Sequence, residues 1–303
     1  MGYGLVTDFI FLYLEINGVH DIMPKKKVLI TGCSGYIGSH LCKLLDNDYD
    51  IYGVDIVEPK YPIKNFYRYD ITKNMNILHH KFDAVVHLAA LVNVSESEKI
   101  PTSYYNTNLF GTINIIEKII TKNFIYASTG AAEFCNSAYA TSKKAAEDVI
   151  KEFHKNIPYT IFRFYNVIGT SGYPPTNKDG LMYNLMQSEF TRKFTIFGND
   201  YDTKDGTCVR DYVHVDEICE AIKMAIENPA NKIECLGHGV GYSVAEMFKM
   251  FLEINEDKLY KTNNEAIIAT VKNRRKGDIP VSVLEEISPY MKQLYTIEQL
   301  LTL

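Results

Sequence analysis

The 303-residue sequence has no surplus of basic charge. Its 32 lysines and arginines are outnumbered by 37 aspartates and glutamates, for a net charge of -5. That excludes the broad positive field expected of a nucleic-acid binder. Paired cysteine spacing is missing too. The six cysteines stand at 33, 42, 135, 208, 219 and 235, with no C-x-x-C and no Cys/His cluster, so neither a zinc site nor a disulfide framework is expected. Reduced thiols of this kind point to the cytoplasm. A membrane-spanning run is absent as well: the apolar stretch Phe9 to Leu14 is too short, Asp8 and Glu15 bracket it, and no Lys or Arg precedes it as in a signal peptide. There is neither an internal repeat nor a low-complexity tract. What remains, 46% hydrophobic and 23% charged, is an ordinary globular balance, long enough for one large α/β unit or two coupled lobes.

Residues 1–22 stand apart from the rest. At Met23 the text changes to Met-Pro-Lys-Lys-Lys-Val-Leu-Ile-Thr-Gly, which reads as the opening of an α/β enzyme. The first 22 residues are therefore expected to be a disordered extension outside the fold. From there to Gly169, short β-branched and aromatic runs (Val28–Ile30, Asp50–Val54, Ala84–Leu88, Phe124–Ala127, Thr160–Phe164) alternate with helical patterns (Ile37–Leu45, Ser103–Ile120, Tyr139–Lys155). Such alternation predicts a doubly wound parallel sheet of Rossmann type, with a ligand crevice at the carboxyl ends of the strands. Residues 23–169 are expected to form mainly this cofactor domain. Residues 170–303, with turn-rich loops at Pro174–Gly180 and Asp200–Gly206 and helices at Val215–Glu227 and Ser243–Asn255, are expected to form mainly a smaller substrate lobe. The chain should cross between the two.

Strand Val28–Ile30 runs into Thr31-Gly32-Cys33-Ser34-Gly35-Tyr36-Ile37-Gly38 and then a helix. Glycines spaced G-x-x-G-x-x-G between a strand and a helix permit a tight turn, a close approach of backbone amides to a pyrophosphate, and close helix packing. The helix amino terminus adds a favourable field for phosphate. Asp55 closes the second strand about 20 residues on, where a carboxylate binds ribose hydroxyls and repels a 2′-phosphate, favouring NAD over NADP. Asp70 can face the adenine similarly or simply cap a surface helix.

Tyr139-Ala140-Thr141-Ser142-Lys143 carries the chemistry. Positions four apart share one helix face, so phenol and ammonium converge, and a nearby cation favours phenolate. Such a phenolate can take the proton of a sugar hydroxyl. Ser128-Thr129, at the end of strand Phe124–Ala127, offers a hydroxyl that can orient the reacting oxygen or merely bond the backbone.

These segments resemble the extended short-chain dehydrogenase/reductases, and within them the UDP-glucose 4-epimerases. The likeness spans residues 26 to about 283. It includes the glycine run, Val86-His87-Leu88-Ala89-Ala90, Tyr104-Tyr105-Asn106-Thr107-Asn108, Tyr139-x-x-x-Lys143, and the long Phe197-Gly198-Asn199-Asp200-Tyr201 … Arg210-Asp211-Tyr212-Val213-His214 match. Arg274-Arg275-Lys276-Gly277-Asp278 is similar to the late diphosphate motif. The resemblance implies a catalytic group of Thr129, Tyr139 and Lys143, with Ile71, Leu88, Ala89, Ala90 and Asn108 beside NAD. It also implies Asn166, Arg210, Arg275 and Asp278 at the sugar diphosphate, with guanidinium forks as the clamp, and the backbone around Thr195 and Phe197 at the uracil. The implied reaction inverts C4 of a UDP-sugar through a 4-keto intermediate, without a metal. A homodimer paired through Ser103–Ile120 and Tyr139–Lys155 is implied as well.

The sequence departs from that family in places. Thr129 and Tyr139 lie unusually close together, and Gly130-Ala131-Ala132-Glu133-Phe134 replaces the usual aromatic-glycine ending. Val92 stands where a lysine is common and Gly180 where an asparagine is. Ser282 stands where a bulky residue often gates the sugar's C2 substituent, so an N-acetylated sugar is expected to be accepted along with the plain hexose. Two other readings fit the same motifs: a related nucleotide-sugar dehydratase or another UDP-sugar epimerase, and a non-catalytic NAD-binding sensor. Gly130 and Ala131 stand where dehydratases carry acids, and the retained Tyr139/Lys143 pair argues against a sensor.

Overall fold

Period-two alternation along the first strand decides the centre of the molecule. In the computed structural model, β1 (Lys26–Thr31) sends Val28 and Ile30 into one apolar cluster and Leu29 into another. A strand buried on both faces needs cover on both. The structure describes residues 24–76, 79–153, 156–170, 172–256, 266–275, 278–291 and 295–301. The expectation for residues 1–22 lies outside them, as do Met23, Lys155, Lys276 and Gly277.

β1 is joined in one sheet by β2 (Tyr49–Asp55), β3 (Asn65–Arg68), β4 (Ala84–His87), β5 (Phe124–Thr129), β6 (Tyr159–Phe164) and β7 (Lys232–Leu236). The seven strands run in the order β7-β6-β5-β4-β1-β2-β3, every pairing parallel. Order reverses between β1 and β4, which opens the crevice there. On one face lie α1 (Tyr36–Leu45) and, from later in the chain, Ile218, Ala221, Ile222 and Ala225 of the helix Val215–Glu227. On the other lie a helical stretch at 101–118, here α2, and α3 (Ala138–Phe153).

Two strands of this sheet escaped the sequence reading. β3 (Asn65–Arg68) and β7 (Lys232–Leu236) are edge strands with few fully buried residues, so neither shows a strong apolar pattern. β7 also shows that residues beyond 169 complete the cofactor-side sheet. α2 begins at Pro101, at the first helical position where its missing N–H costs nothing. It widens to a π-helix over Tyr105–Phe110 and ends at Lys118, before the expected Ile120.

The second lobe is built on the strand Val209–His214, which pairs with Gly241–Ser243, Val281–Ser282 and Asn166–Ile168. Its neighbours are α4 (Leu181–Thr191) and the strand Lys193–Phe197, paired in parallel with Ile268–Lys272. Ile168, Leu185, Phe194, Tyr212, Met247 and Phe251 form its core. Its helix Val244–Ile254 starts in a capping box, the Ser243 hydroxyl accepting from Glu246 N and the Glu246 carboxylate accepting from Ser243 N.

Candidate active site

One cleft of about 900 Å³ runs between the lobes, large for a single small-molecule site and suited to two ligands end to end. Gly32, Gly35, Tyr36, Ile37, Gly38, Asp55, Asp70 and Ile71 line one end, and Leu88, Ala89 and Ala90 the floor. Thr129, Tyr139, Lys143 and Asn166 line the cleft as well, as do Thr195, Phe197, Arg210, Arg275, Asp278 and Ser282. Val92 and Gly180 are also on the wall. Asn108 is not.

The glycine turn explains itself by contact. Gly32 has φ +73°, and a Cβ there would come within 2.7 Å of Ala89 N, so any other residue would be strained and would push on the cleft floor. Gly38 abuts the turn so closely that a Cβ would lie 2.1 Å from the Gly32 carbonyl oxygen. Gly35 caps α1 with no side chain to occupy its amino terminus. The Asp55 carboxylate accepts from Ser34 N at 3.0 Å and from Ile56 N at 2.7 Å, fixing the end of β2 against the turn. Asp70 accepts from Thr72 N at 2.9 Å in a turn and borders the cleft; no helix starts there for it to cap. The glycine cradle, the uncapped helix terminus and the strand-end carboxylate fit a dinucleotide with free ribose hydroxyls.

Asn108 acts from behind the wall. It is buried, its Oδ1 accepts from Leu91 N at 2.8 Å, and its Nδ2 donates to Leu91 O and Ser142 Oγ, both at 3.0 Å. The resemblance placed it beside the cofactor; the wide π-turn instead turns it inward, where it ties the 88–91 floor to α3. A second buried chain supports that floor. Ala89 N donates to Thr31 Oγ1, which stands 2.6 Å from His87 Nδ1; His87 Nε2 stands 2.9 Å from Thr112 Oγ1, which donates to Asn108 O. Because the Thr112 hydrogen goes to Asn108, Thr112 can only accept from Nε2–H. Nδ1 then accepts from Thr31, and the imidazole is neutral. Burial agrees, pulling His87 down to about 3.

Tyr139 of α3 and Thr129 at the end of β5 both line the cleft. Burial raises Tyr139 above the usual tyrosine value, and the nearby Thr129 hydroxyl opposes this only in part. The cation at Lys143 was expected to lower it. In the ligand-free site burial wins, because it also pulls Lys143 down to about 7, against the raising influence of Glu147. Lys143 is 2% exposed and its ammonium sits 4.1 Å from the centre of the Tyr126 ring. One turn on, the fully buried Glu147 receives Arg163 through both oxygens, at 2.9 and 2.8 Å, and the Ser128 hydroxyl at 2.6 Å.

Arg275 donates to Asp278 Oδ2 at 3.1 Å and to Asp179 O at 2.7 Å, while Arg210 lies 3.7 Å from Asp278 Oδ1. Asp278 therefore holds both guanidinium groups facing the cleft. The neighbouring Arg274 turns away, donating to Asp200 Oδ1 at 2.7 Å and covering the Tyr201 ring. Strand pairing sets Ser282 opposite Arg210 and Asn166 opposite Tyr212.

Comparison with known proteins gives the family. A model of the NAD dependent epimerase/dehydratase family matches residues 28–235. The chain belongs to that family. A UDP-glucose 4-epimerase of Drosophila melanogaster is 31% identical over 315 residues, covering 85% of this chain and 88% of the relative. One from Yersinia enterocolitica is 32% identical over 300 residues, covering 83% and 87%. The crystal structure of the Bifidobacterium longum UDP-glucose 4-epimerase in complex with NAD+ and UDP matches with a TM-score of 0.77 and 25% identity, covering 91% of this chain and 96% of that one.

Two residues that line the cleft were not singled out from the sequence. Tyr165 backs the cleft at Gly130, where a Cβ would meet its ring at 3.1 Å. Asp179 borders the cleft and bonds Asn93 Nδ2 at 2.8 Å. Both come from loops, and only the packing of distant segments brings them to the site. Among the described residues no group of His, Cys, Asp and Glu is placed to hold a metal, and no helix is long and apolar enough to cross a membrane.

Proposed function

We propose that this protein is a UDP-sugar 4-epimerase that uses NAD and inverts C4 through a 4-keto sugar. The observation that carries the reading is one continuous cleft. The same cleft is lined by Thr129, Tyr139 and Lys143, by the glycine turn, and by two arginines held by one aspartate, which supports the reading. NAD, when bound, supplies a reversible hydride acceptor beside the sugar. The chain's own residues do the rest. Tyr139 takes the proton of the C4 hydroxyl as the C4–H bond is lost, and later returns it to the keto oxygen. Thr129 orients that oxygen, and charged Lys143 favours the phenolate. Arg210 and Arg275 grip the diphosphate, leaving the sugar free to turn over and present its other face.

The sugar end is open in a way that supports acceptance of N-acetylhexosamines. Ser282 is small, partly buried and beside Arg210, with Gly130 and Ala131 on the wall nearby. Enlarging it by Ser282→Tyr is expected to depress turnover of UDP-N-acetylgalactosamine while sparing UDP-galactose. Six free thiols support a cytoplasmic site, and the exposed Phe110 and Ile120 around α2 with Phe153 on α3 support a homodimer, which sedimentation tests.

The deciding experiment incubates purified protein with UDP-galactose and with UDP-N-acetylgalactosamine, with and without added NAD, and follows C4 inversion by NMR. Conversion that disappears in Tyr139→Phe is the expected result. Absence of conversion of either sugar, with NAD added, rejects both as substrates and turns the search to other nucleotide sugars or to a sensor on the same fold.

A further inference from the structure

Lys143 is an ammonium buried where water cannot solvate it, so the groups around it decide whether it is charged. They come from three elements. Tyr139 and Glu147 are on its own helix, Tyr126 is on β5, and His87 is on β4. Glu147 already accepts two bonds from Arg163 and one from Ser128, which spends much of its field on other partners. His87 is neutral and locked by the Thr31–Thr112 chain, so it adds no competing cation. Tyr126 is different. It is 1% exposed, its buried hydroxyl lies beside Thr112 with no well-aligned hydrogen-bond partner among the described residues, and its ring has the Lys143 ammonium 4.1 Å from its centroid. The His87 ring packs on the same side chain, centroids 5.7 Å apart, and holds it in place.

A buried phenol hydroxyl with no well-aligned partner is a cost, not a contribution. What this residue offers its surroundings is therefore the electron-rich face of its ring, and an ammonium at this distance in a dry site is where that face matters most. We propose that Tyr126 is a positioning residue whose ring face, and not its hydroxyl, keeps Lys143 charged and aimed into the cleft. It rests on the reading of Lys143 as part of the proton-transfer site, but it is tested without turnover.

The probe is the 13C NMR titration of Lys143 in ligand-free protein labelled at lysine Cε, with Lys143→Met used only to assign the signal. Tyr126→Phe keeps the ring face and is expected to leave the titration midpoint in place, with thermal stability equal or higher. Placing pentafluorophenylalanine at 126 keeps the shape but removes the negative face. The expected result is a midpoint lower by about half to one and a half pH units. The alkaline limb of kcat against pH should move the same way. Two results overturn the proposal: a midpoint in the pentafluoro protein equal to that of Tyr126→Phe, or a shift in Tyr126→Phe as large as the pentafluoro shift. The first removes the ring charge from the account, and the second assigns the effect to the hydroxyl. A protein inactive on every UDP-sugar would still titrate, so failure of the epimerase reading is distinguishable from failure of this one.

Discussion

Tyr139 and Lys143 show how burial reverses what adjacency suggests. Both lose solvent at the same place, so the phenol moves up, the ammonium moves down, and the ligand-free site holds its acid protonated. Ultraviolet titration of the parent against Tyr139→Phe should therefore show the missing phenol ionising above pH ~10, the ordinary tyrosine value. A midpoint near neutrality would overturn this account of the resting site. In turnover the same substitution is expected to cost about 10²- to 10⁴-fold in kcat, the usual worth of a positioned acid/base. Gly32 makes a different residue-scale point. Gly32→Ala would force a left-handed backbone and press on Ala89 N, so a loss of about 1–3 kcal/mol of stability together with weakened NAD binding is expected. Gly35→Ala, at an ordinary φ of -70° with its nearest contact at 3.1 Å, should cost much less stability in the same melting measurement.

Elements are placed here by buried polar joints as much as by apolar faces. Glu147 on α3, Ser128 on β5 and Arg163 on β6 meet in one dry cluster, which fixes the helix carrying Tyr139 and Lys143 against the strand carrying Thr129. Removing one member leaves a buried charge without its partner, so Arg163→Met is expected to destabilise the fold by about 3–5 kcal/mol in denaturant unfolding. Glu147→Gln takes away the group that raises Lys143. Its amine should then titrate below about 7 and lose charge at neutral pH. A midpoint that stayed put would mean Arg163 already neutralises the carboxylate completely. Asn108 and His87 play the same kind of part for the cofactor floor, through Leu91 and Thr31.

On the proposed reading the two lobes divide the binding work, and the division can be measured. Arg210 and Arg275 line the cleft from the second half of the chain and the glycine turn from the first. Changing either arginine to methionine removes a charged hydrogen-bond donor, worth about 1.5–3 kcal/mol, or roughly 10- to 100-fold in UDP affinity. Calorimetry should show NAD affinity unchanged in both variants. An equal loss of NAD affinity would mean that the lobes close only as a unit. β7 gives a reason to look, since the second half of the chain supplies a strand of the cofactor-side sheet.

How far the sequence could be read follows from which interactions are local. A strand, a glycine turn and a helix in succession specify the dinucleotide end by themselves, because the φ of Gly32 and the uncapped amino terminus of α1 are properties of adjacent residues. The i, i+4 spacing of Tyr139 and Lys143 is local in the same sense, and so is the alternation that buries β1 on both faces. Local pattern could not choose between Arg274 and Arg275. Only contacts with Asp200 and Tyr201 on one side, and with Asp278 and Asp179 on the other, turn one arginine outward and the other into the cleft. Nor could it find β3 and β7, edge strands whose pairing partners lie elsewhere in the chain. Apart from Glu147 one turn along its own helix, the protonation of Lys143 is decided at this level. Its neighbours Tyr126 and His87 are remote in sequence, and the desolvation that they impose exists only once the chain has packed.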